Sequence, residues 1–397
     1  MLETRIAKEL AYISQAGLAR RITELYFVNP AQAQDRTGKT YLVLASNNYL
    51  GFTHAPEVIE ASSQANLKFG TGSSGSRLTT GGTFIASELE KRLADFKHSE
   101  SALVFNTGYM TNLGVLYGLL QTGDVVFSDE LNHASIIDGC RISRCKVVVY
   151  KHNDIADLQR LLETEIVTGQ RFIVTDGVFS MDGDIADLPS LAVLKKQFNA
   201  FLIVDDAHGV GVIGNDGSGT ASHYGLTDVI DLQVGTLSKA LAAEGGYVAG
   251  KKILIDYLIN RSRPFIFSTA LAPATLAAAN AALLLLQTQA SKYLDSLRAN
   301  SRLMRRLLLE GGLNVVEGIT PIIPVVIGEA GLTMQFADRL KSKGILVSGI
   351  RPPTVPRGES RLRITVTAAH CEEQLRQAAQ IITALWQELK HGEKKEG

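Results

Sequence analysis

Asp231-Leu232-Gln233-Val234-Gly235-Thr236-Leu237-Ser238-Lys239 is the stretch from which the fold and function of this chain are interpreted. Its first half is centred on apolar residues and is typical of a strand, and a run rich in Ala and Gly follows as far as Tyr247. A lysine among small residues has few neighbours to keep it solvated, and desolvation favours the neutral amine over the ammonium. Lys239 is therefore a candidate nucleophile, although most lysines that follow strands are solvated surface residues.

A second strand pattern lies upstream and ends in two carboxylates and a histidine. Phe201-Leu202-Ile203-Val204-Asp205 is followed by Asp206-Ala207-His208-Gly209. An acid at this position can keep a pyridinium nitrogen protonated, whereas the commoner outcome for an Asp-Asp pair is a capped turn. Together, the Asp205-x-x-His208 and Thr236-x-x-Lys239 spacings resemble those of the fold-type I enzymes that use pyridoxal phosphate (PLP). The order of residues in the two segments, Asp-Asp-Ala-His-Gly and Thr-Leu-Ser-Lys, resembles that of the α-oxoamine synthase branch of those enzymes.

This resemblance implies a set of catalytic residues. Lys239 would hold PLP as a Schiff base and then move the proton on the Cα of the substrate. Asp205 would pair with the ring nitrogen, and His208 would hydrogen-bond the phenolic oxygen of the ring. A lone histidine usually caps a helix or packs in a core. However, Asn132-His133-Ala134-Ser135 matches a motif of the family, which implies that His133 stacks on the ring.

A strand–glycine–helix junction is a candidate phosphate site. Leu103–Phe105 is predicted to be a strand, and the run from Asn106 to Asn112 opens an apolar helix. Such a junction presents backbone N–H groups and a positive dipole end to an anion. A single glycine is weak evidence alone, but the resemblance assigns Gly108 and Tyr109 to the cofactor phosphate. It assigns four further side chains to the cofactor, the last two reaching the phosphate in the neighbouring subunit: Ser180, Thr236, Ser268 and Thr269.

Two segments are candidates for holding the carboxylate of an amino acid. Arg361 and Arg363 share one face of a predicted strand because side chains alternate along a strand. A guanidinium suits bidentate binding of a carboxylate, although arginines are also common on exposed edge strands. The resemblance assigns the carboxylate to Arg363 and to Asn47, which lies in a turn after the strand predicted at 40–46.

The acyl end of the substrate has weaker candidates. The resemblance places Arg20 or Arg21, near the end of an N-terminal helix predicted at 2–25, close to the acyl group, together with Thr354 in the proline-rich loop 351–356. The glycine-rich segment 69–82 carries Arg77 and resembles a loop that reaches the substrate pocket, often across a dimer interface.

Two departures from the family pattern are Asp176, where glutamate is usual, and Ala242-Ala243, where glycine is frequent.

Composition sets the limits of this interpretation. The 397 residues are 45% hydrophobic and 20% charged with a formal net charge of +0, a balance typical of globular proteins that gives no sign of a nucleic-acid partner. Three cysteines without metal-ligand spacing, and no recognisable signal peptide, predict a cytoplasmic protein without a metal site or a membrane segment.

Strands alternating with helices predict an α/β fold with a mainly parallel central sheet sandwiched by helices. We expect three parts: a helix and strand segment (1–48), a large PLP-binding domain (49–285) and a smaller α+β C-terminal domain (286–397).

The activity implied by the resemblance is a decarboxylative condensation of an amino acid with an acyl-CoA or an acyl carrier protein, in a homodimer with shared active sites. Two alternatives stay open at this point. One is a different acyl donor within the same branch. The other is a binding-only relative, against which the intact Lys239, Asp205 and His208 argue.

Overall fold

The computed structural model describes residues 1–15, 18–20 and 22–396, so that the candidate Arg21 lies outside the described residues. A seven-stranded sheet forms the centre of the molecule. Its strands, in chain order, are β4 (Ser101–Phe105), β5 (Val125–Asp129), β6 (Lys146–Tyr150), β7 (Arg171–Asp176), β8 (Ala200–Asp205), β9 (Leu232–Thr236) and β10 (Gly246–Gly250). Their spatial order is β4-β10-β9-β8-β7-β5-β6.

The sheet is mainly parallel, as predicted. Strand β10 runs antiparallel to both of its neighbours, β4 and β9, and the other adjacent pairs are parallel. Apolar side chains cover both faces: Ile203 and Val234 belong to the core on one face, and Leu202 and Val204 to the core on the other. Burial on both faces explains why these strands are almost continuously apolar in sequence.

Helices cover both faces of this sheet. In chain order, the helices of the described residues, including those of the terminal regions, are α1 (Leu2–Gln15), α2 (Pro56–Phe69), α3 (Phe84–Phe96), α4 (Gly108–Leu119), α5 (Ala134–Ser143), α6 (Ile155–Thr164), α7 (Leu188–Gln197), α8 (Thr220–His223), α9 (Lys252–Arg261), α10 (Arg263–Ile266), α11 (Pro273–Glu310), α12 (Ala330–Ser342) and α13 (Glu372–Glu396). A short 3₁₀ helix spans Phe52–His54. Helices α4 and α9 pack against β4 and β10 on one face, and α3 packs against the same two strands from the other.

Two smaller sheets accompany the central one. Strands β11 (Ile322–Gly328), β13 (Ser348–Ile350) and β14 (Ser360–Thr365) form one in the order β11-β14-β13, next to α12. The other contains β1 (Tyr26–Asn29), β2 (Gln32–Gln34), β3 (Thr40–Val43) and β12 (Ile345–Leu346). Because β12 pairs in parallel with β3, the N-terminal segment is joined directly to the C-terminal region. The predicted α/β class with a smaller α+β C-terminal region is confirmed.

The N-terminal segment differs from its prediction. The predicted helix 2–25 ends at Gln15, and Leu18–Arg20 and Ile22–Leu25 are not helical. Glycine at position 17 of the sequence lowers helix propensity at this point. The hairpin of β1 and β2 was not predicted, because four- and three-residue strands are too short to establish an alternating pattern.

The predicted boundary at 285/286 falls inside the 38-residue helix α11. Gln289 interrupts this helix with φ −133°, four residues after the boundary, and the helix continues into the C-terminal region. The division into domains therefore stays a prediction. Among the helices of the described chain, none is both long and apolar enough to span a membrane.

Candidate active site

A cavity of about 210 Å³ lies at the carboxyl end of the central sheet. Asp176, Asp205 and Thr236 are the last residues of β7, β8 and β9, so their side chains meet at one edge. The cavity brings together eight of the predicted site residues: Gly108, Tyr109, His133, Ser180, Asp205, His208, Thr236 and Lys239. Asn112, Ser135, Asp176 and Ala207 complete its lining.

Lys239 is half-buried in a tight turn after β9. Burial lowers the pKa of its amine to about 8, and Arg363 acts in the same direction, whereas Asp205 and Asp176 oppose the shift. The turn is closed by a hydrogen bond from the Ala242 N–H to the Lys239 carbonyl at 3.1 Å. Ala242 has φ +53°, a left-handed conformation that glycine adopts more readily. The turn therefore supplies an amine that is partly neutral at physiological pH.

The Asp205 carboxylate is buried and held by two donors. Asn112 Nδ2 donates to Asp205 Oδ2 at 2.6 Å, and the Ala207 N–H donates to Oδ1 at 3.0 Å. Asn112 Nδ2 also lies 2.9 Å from Ser135 Oγ, which in turn lies 2.7 Å from His133 Nδ1. A continuous hydrogen-bonded chain thus links the carboxylate to the imidazole across the cavity.

Asp176 holds the backbone of His133. Its Oδ2 accepts the His133 N–H at 2.9 Å, and its own N–H donates to Asn132 Oδ1 at 2.8 Å. Burial and the nearby Asp205 raise the pKa of the Asp176 carboxyl well above its usual range. Burial, together with the nearby Lys239, lowers the pKa of the His133 imidazole. The shorter carboxylate at position 176 therefore still makes a hydrogen bond to the loop that carries His133.

His208 pairs with a buried tyrosine. The hydroxyl of Tyr49 lies 2.6 Å from His208 Nδ1. Burial raises the pKa of Tyr49 to about 12, and burial with the nearby Lys239 lowers the pKa of His208 well below its usual range. Both groups are therefore neutral at physiological pH. When Tyr49 donates to Nδ1, the imidazole proton resides on Nε2.

The guanidinium of Arg363 is buried, and within the described part of the chain it donates only to neutral acceptors. Arg363 Nε donates to the Ser180 carbonyl at 2.5 Å, Nη1 donates to Thr365 Oγ1 at 3.0 Å, and Nη2 donates to Asn47 Oδ1 at 3.1 Å. In contrast, Arg361 is ion-paired with Asp182. The structure therefore joins Arg363 to Asn47 and to the loop that carries Ser180, and the assignment of Arg363 and Asn47 to a carboxylate site stays a prediction.

The first turn of α4 closes the cavity on the side of Gly108. Thr107 caps this helix by accepting the Met110 N–H on its hydroxyl at 3.0 Å. The first N–H groups of a helix have no intrahelical partner, which makes such an end suitable for an anion. A Cβ at Gly108 would lie 3.3 Å from the Thr236 side chain, so glycine allows α4 and β9 to approach closely.

Arg77, Ser268 and Thr269 are among the predicted residues that do not line this cavity. Arg77 forms a bidentate ion pair with Glu90 at 2.7 and 2.9 Å. Thr269 is exposed and accepts a hydrogen bond from Asn106 Nδ2 on its carbonyl at 2.8 Å, and Ser268 precedes it. Their assignment to a site shared between subunits stays a prediction.

The two candidate segments for the acyl end come close together. Arg351 Nη2 lies 3.4 Å from the carbonyl of Ala19, the residue before Arg20. Arg20 and Thr354 are both exposed. The roles of Arg20 and Thr354 remain predictions, but the contact places their segments next to each other.

A family comparison agrees with this geometry. The model of the class I and II aminotransferases matches residues 39–382, which is most of the chain. The chain belongs to the class I and II aminotransferase family.

Individual relatives place this aminotransferase-family chain in the α-oxoamine synthase branch, as predicted. It is 49% identical to the 8-amino-7-oxononanoate synthase of Trichlorobacter lovleyi over 97% of this chain and 98% of that protein. It is 46% identical to the enzyme of the same name from Lysinibacillus sphaericus, over 94% and 96% of the two chains. A solved structure of SPT with PLP superposes with a TM-score of 0.92 at 31% identity, covering 97% of each chain.

Sequence reasoning noted Asp176 only as a departure from the family pattern, and it did not single out Asn112, Ser135 or Tyr49 as residues of this aminotransferase-family site. Asn112, Ser135 and Asp176 line the cavity, and the Tyr49 hydroxyl forms a hydrogen bond with His208 Nδ1. Asn112 had a usable signal, because it lies one helical turn after Gly108 and therefore shares its face of α4. The role of Tyr49 depends on a contact 159 positions away in the sequence, which no local pattern indicates.

Proposed function

We propose that the protein catalyses the PLP-dependent decarboxylative condensation of L-alanine with pimeloyl-CoA or a pimeloyl carrier protein. The products are 8-amino-7-oxononanoate, CO₂ and free CoA or carrier, and the reaction is a step of biotin biosynthesis. The observation that carries the proposal is the meeting of Lys239, Asp205, His208 and the first turn of α4 in one cavity, beside Arg363. The names of the relatives support the choice of substrates. We place the enzyme in the cytoplasm.

The residues of the cavity fit PLP. The amine of Lys239, with its pKa lowered to about 8, suits a covalent link to an aldehyde carbon. The start of α4 at Gly108 and Tyr109 suits a phosphate, with Thr236 adjacent. Asp205 lies at a strand end where its carboxylate can hold a proton on a ring nitrogen. When bound, PLP supplies an electron sink for the electrons released at the substrate Cα.

The side chains of the chain divide the remaining work. Arg363 and Asn47 bind the α-carboxylate of alanine and fix the orientation of its Cα. The Lys239 amine takes the Cα proton and later returns a proton to the product. His208 would donate from Nε2 to the phenolic oxygen of bound PLP, because the Tyr49 hydroxyl keeps the imidazole in that tautomer. His133 would stack on the ring and donate to the acyl oxygen.

The loop 351–356 and the segment around Arg20 are proposed to shape the acyl end. Arg-Pro-Pro-Thr-Val-Pro in this loop most resembles 8-amino-7-oxononanoate synthases. Ala19 and Arg351 are in contact, which supports a common site made from both segments.

A second candidate is a relative with another acyl donor, such as a serine palmitoyltransferase-like enzyme or a glycine C-acetyltransferase. This candidate is included because the solved structure of SPT superposes on this chain with a TM-score of 0.92. A thiol-release assay over a panel of amino acids and acyl-CoAs separates the candidates. We expect alanine with pimeloyl-CoA to outperform serine with palmitoyl-CoA and glycine with acetyl-CoA. A preference for either of the latter pairs contradicts the proposed substrate but not the role of Lys239.

We also propose a homodimer with composite active sites. A group of large apolar side chains is exposed along the glycine-rich loop and the segment before Ser268: Phe69, Leu78, Phe84 and Phe267, of which Phe84 is 92% and Phe267 is 70% exposed. Hydrogen bonds join the two segments, one of them from the Ala270 N–H to the Gly75 carbonyl at 2.9 Å. An exposed apolar surface of this kind is typical of an interface.

Subunit complementation tests the shared site. Lys239→Ala subunits are mixed with Thr269→Ala subunits, and heterodimer formation is verified with two affinity tags. One of the two sites in each heterodimer then keeps both residues, so we expect part of the lost activity to return. Verified heterodimers without recovered activity contradict the assignment of Thr269 to the partner's site.

A further inference from the structure

Asp205 and Asp206 are neighbours in sequence but point to opposite faces of the central sheet. Side chains alternate along a strand, so Asp205 lies on the face covered by α4 and Asp206 on the face covered by α3. Asp205 lines the cavity described above, whereas Asp206 has no part in the proposed chemistry. The side chain that meets Asp206 is Lys97, the residue that follows α3.

The two side chains form an ion pair that is closed to water. Lys97 and Asp206 are each 1% exposed, and Lys97 Nζ lies 3.0 Å from Asp206 Oδ2. Lys97 Nζ also donates to the Ser218 carbonyl. Thr220 supplies two more donors to the carboxylate, its hydroxyl at 2.9 Å from Oδ1 and its N–H at 3.0 Å from Oδ2. Every oxygen of this buried carboxylate therefore has a donor.

Two glycines lie so close to the Asp206 carboxylate that neither position has room for a side chain. A Cβ at Gly209 would lie 1.9 Å from Asp206 Oδ1, and a Cβ at Gly219 would lie 1.7 Å from Oδ2. Gly219 also has φ +112°, which disfavours any side chain. Both glycines are therefore required for the pair to have its present geometry.

The pair also fixes the turn that carries the proposed cofactor ligands. The Asp206 N–H donates to the Val234 carbonyl at 2.8 Å, and the Asp206 carbonyl accepts the Gly209 N–H at 2.9 Å. Asp206 is thus held through its side chain and both backbone groups. Asp205 lies immediately before it, and His208 lies two residues after it.

We propose that Lys97 and Asp206 are positioning residues, which hold the end of β8 so that Asp205 and His208 keep the spacing required to bind the cofactor ring. This inference rests on the proposed function. Stability alone is a weak reason for such a pair, because replacing both partners of a buried ion pair by neutral residues is often neutral or stabilising. A double substitution therefore separates positioning from stability.

The test compares the double variant Lys97→Met/Asp206→Asn with a matched control, Lys195→Met/Asp231→Asn. Lys195 and Asp231 form an ion pair at 2.6 Å at the other end of the same sheet, where Asp231 Oδ2 accepts the Leu202 N–H. For each protein we would measure the unfolding midpoint of the apo form, the Kd for PLP, the pH dependence of the absorbance of bound PLP, and kcat and KM.

We expect the Kd for PLP of Lys97→Met/Asp206→Asn to weaken by about tenfold or more, as happens when outer-sphere partners are lost at metal sites. We also expect its absorbance–pH profile to shift, even if its apo form is as stable as that of the control variant. The control variant Lys195→Met/Asp231→Asn should keep the wild-type Kd for PLP and the wild-type profile. A wild-type Kd and profile in Lys97→Met/Asp206→Asn would overturn the inference.

Should that double variant fail to fold, Thr220→Val removes one donor to Asp206 while keeping the pair. A smaller weakening of the PLP Kd in the same direction is then expected, and an unchanged Kd counts against the proposal. Failure of the wild-type protein to bind PLP would contradict the proposed function itself, whereas wild-type binding with unaltered variants contradicts only the positioning role.

Discussion

Lys97 and Lys239 lie on opposite faces of the central sheet near the carboxyl end of β8. They differ in whether a carboxylate accepts a hydrogen bond from the amine. Lys97 is enclosed and donates to the carboxylate of Asp206. The side-chain amine of Lys239 forms no hydrogen bond with any described residue, and burial lowers its pKa to about 8. A buried lysine with a carboxylate partner stabilises structure, whereas a half-buried lysine without one is available as an amine.

The same distinction separates two arginines on β14. Arg361 is ion-paired with Asp182 and Glu359, whereas Arg363 donates only to neutral oxygens. Alternation along the strand placed both on one face and did not distinguish them. The arginine whose charge is not compensated by a carboxylate is the one available to bind the carboxylate of a substrate.

The strongest test of the comparison is Lys239→Ala. Loss of the amine should abolish the borohydride-reducible adduct with PLP and lower turnover by at least about 10³-fold, within the range of general-base contributions. Mass-spectrometric peptide mapping after reduction measures the adduct. The surface variant Lys252→Ala, which loses only an exposed pair with Asp256, is the control and should remain fully active. An adduct that persists in Lys239→Ala would show that another lysine holds the cofactor.

Lys97→Met should have the next largest effect, which is measured here on the stability of the apo protein. It leaves the Asp206 carboxylate buried without its cation, so the free energy of unfolding of the apo protein should fall by about 3–5 kcal/mol. Chemical denaturation measures the change. Lys252→Met, at an exposed position, should alter stability by less than about 0.5 kcal/mol. Equal effects of the two substitutions would contradict the structural role of the Lys97 pair.

Arg363→Ala tests the arginines. Loss of a charge-assisted bidentate contact costs about 1.5–3 kcal/mol, so the apparent affinity for alanine should weaken by about ten- to a hundredfold or more. The acyl-CoA KM should change far less. Arg361→Ala is the matched control and should lower stability through the loss of its pair with Asp182 instead of lowering alanine affinity. A larger loss of alanine affinity in Arg361→Ala would reverse the assignment.

The smallest expected effect is a gain of stability in Lys239→Met. This substitution removes a charge that burial disfavours, so the apo protein should become more stable by about 1 kcal/mol at pH 7. Because the pKa of Lys239 is lowered in the folded state, its penalty is fully present below pH 8 and is lost as the pH rises toward 10.5, the ordinary lysine value. Denaturation at several pH values measures this trend, and a gain that does not depend on pH would refute it.

Local sequence patterns predicted much of the central sheet, whereas the resemblance to the α-oxoamine synthases supplied most of the predicted residues that line the cavity. Strands buried on both faces are rich in β-branched residues, and polar side chains such as Asp205 mark their carboxyl ends. The features of the site that local patterns did not predict depend on contacts between elements that are distant in the sequence. Tyr49 meets His208 only after folding, and the partners Asp182 of Arg361 and Ser180 of Arg363 lie 179 and 183 positions earlier in the chain. The N-terminal hairpin was missed because its strands are short.

The antiparallel strand β10 has a consequence for the order in which the chain folds during synthesis. β10 lies between β4 and β9, so that residues 101–105 find their sheet neighbour only when residues 246–250 have been made. Gly108 and Thr236 line the same cavity across this late pairing. A nascent chain that ends before β10 therefore lacks the pairing that brings Gly108 next to Thr236 at the proposed phosphate end of the site, and we expect PLP to assist folding only after about the first 250 residues have left the ribosome.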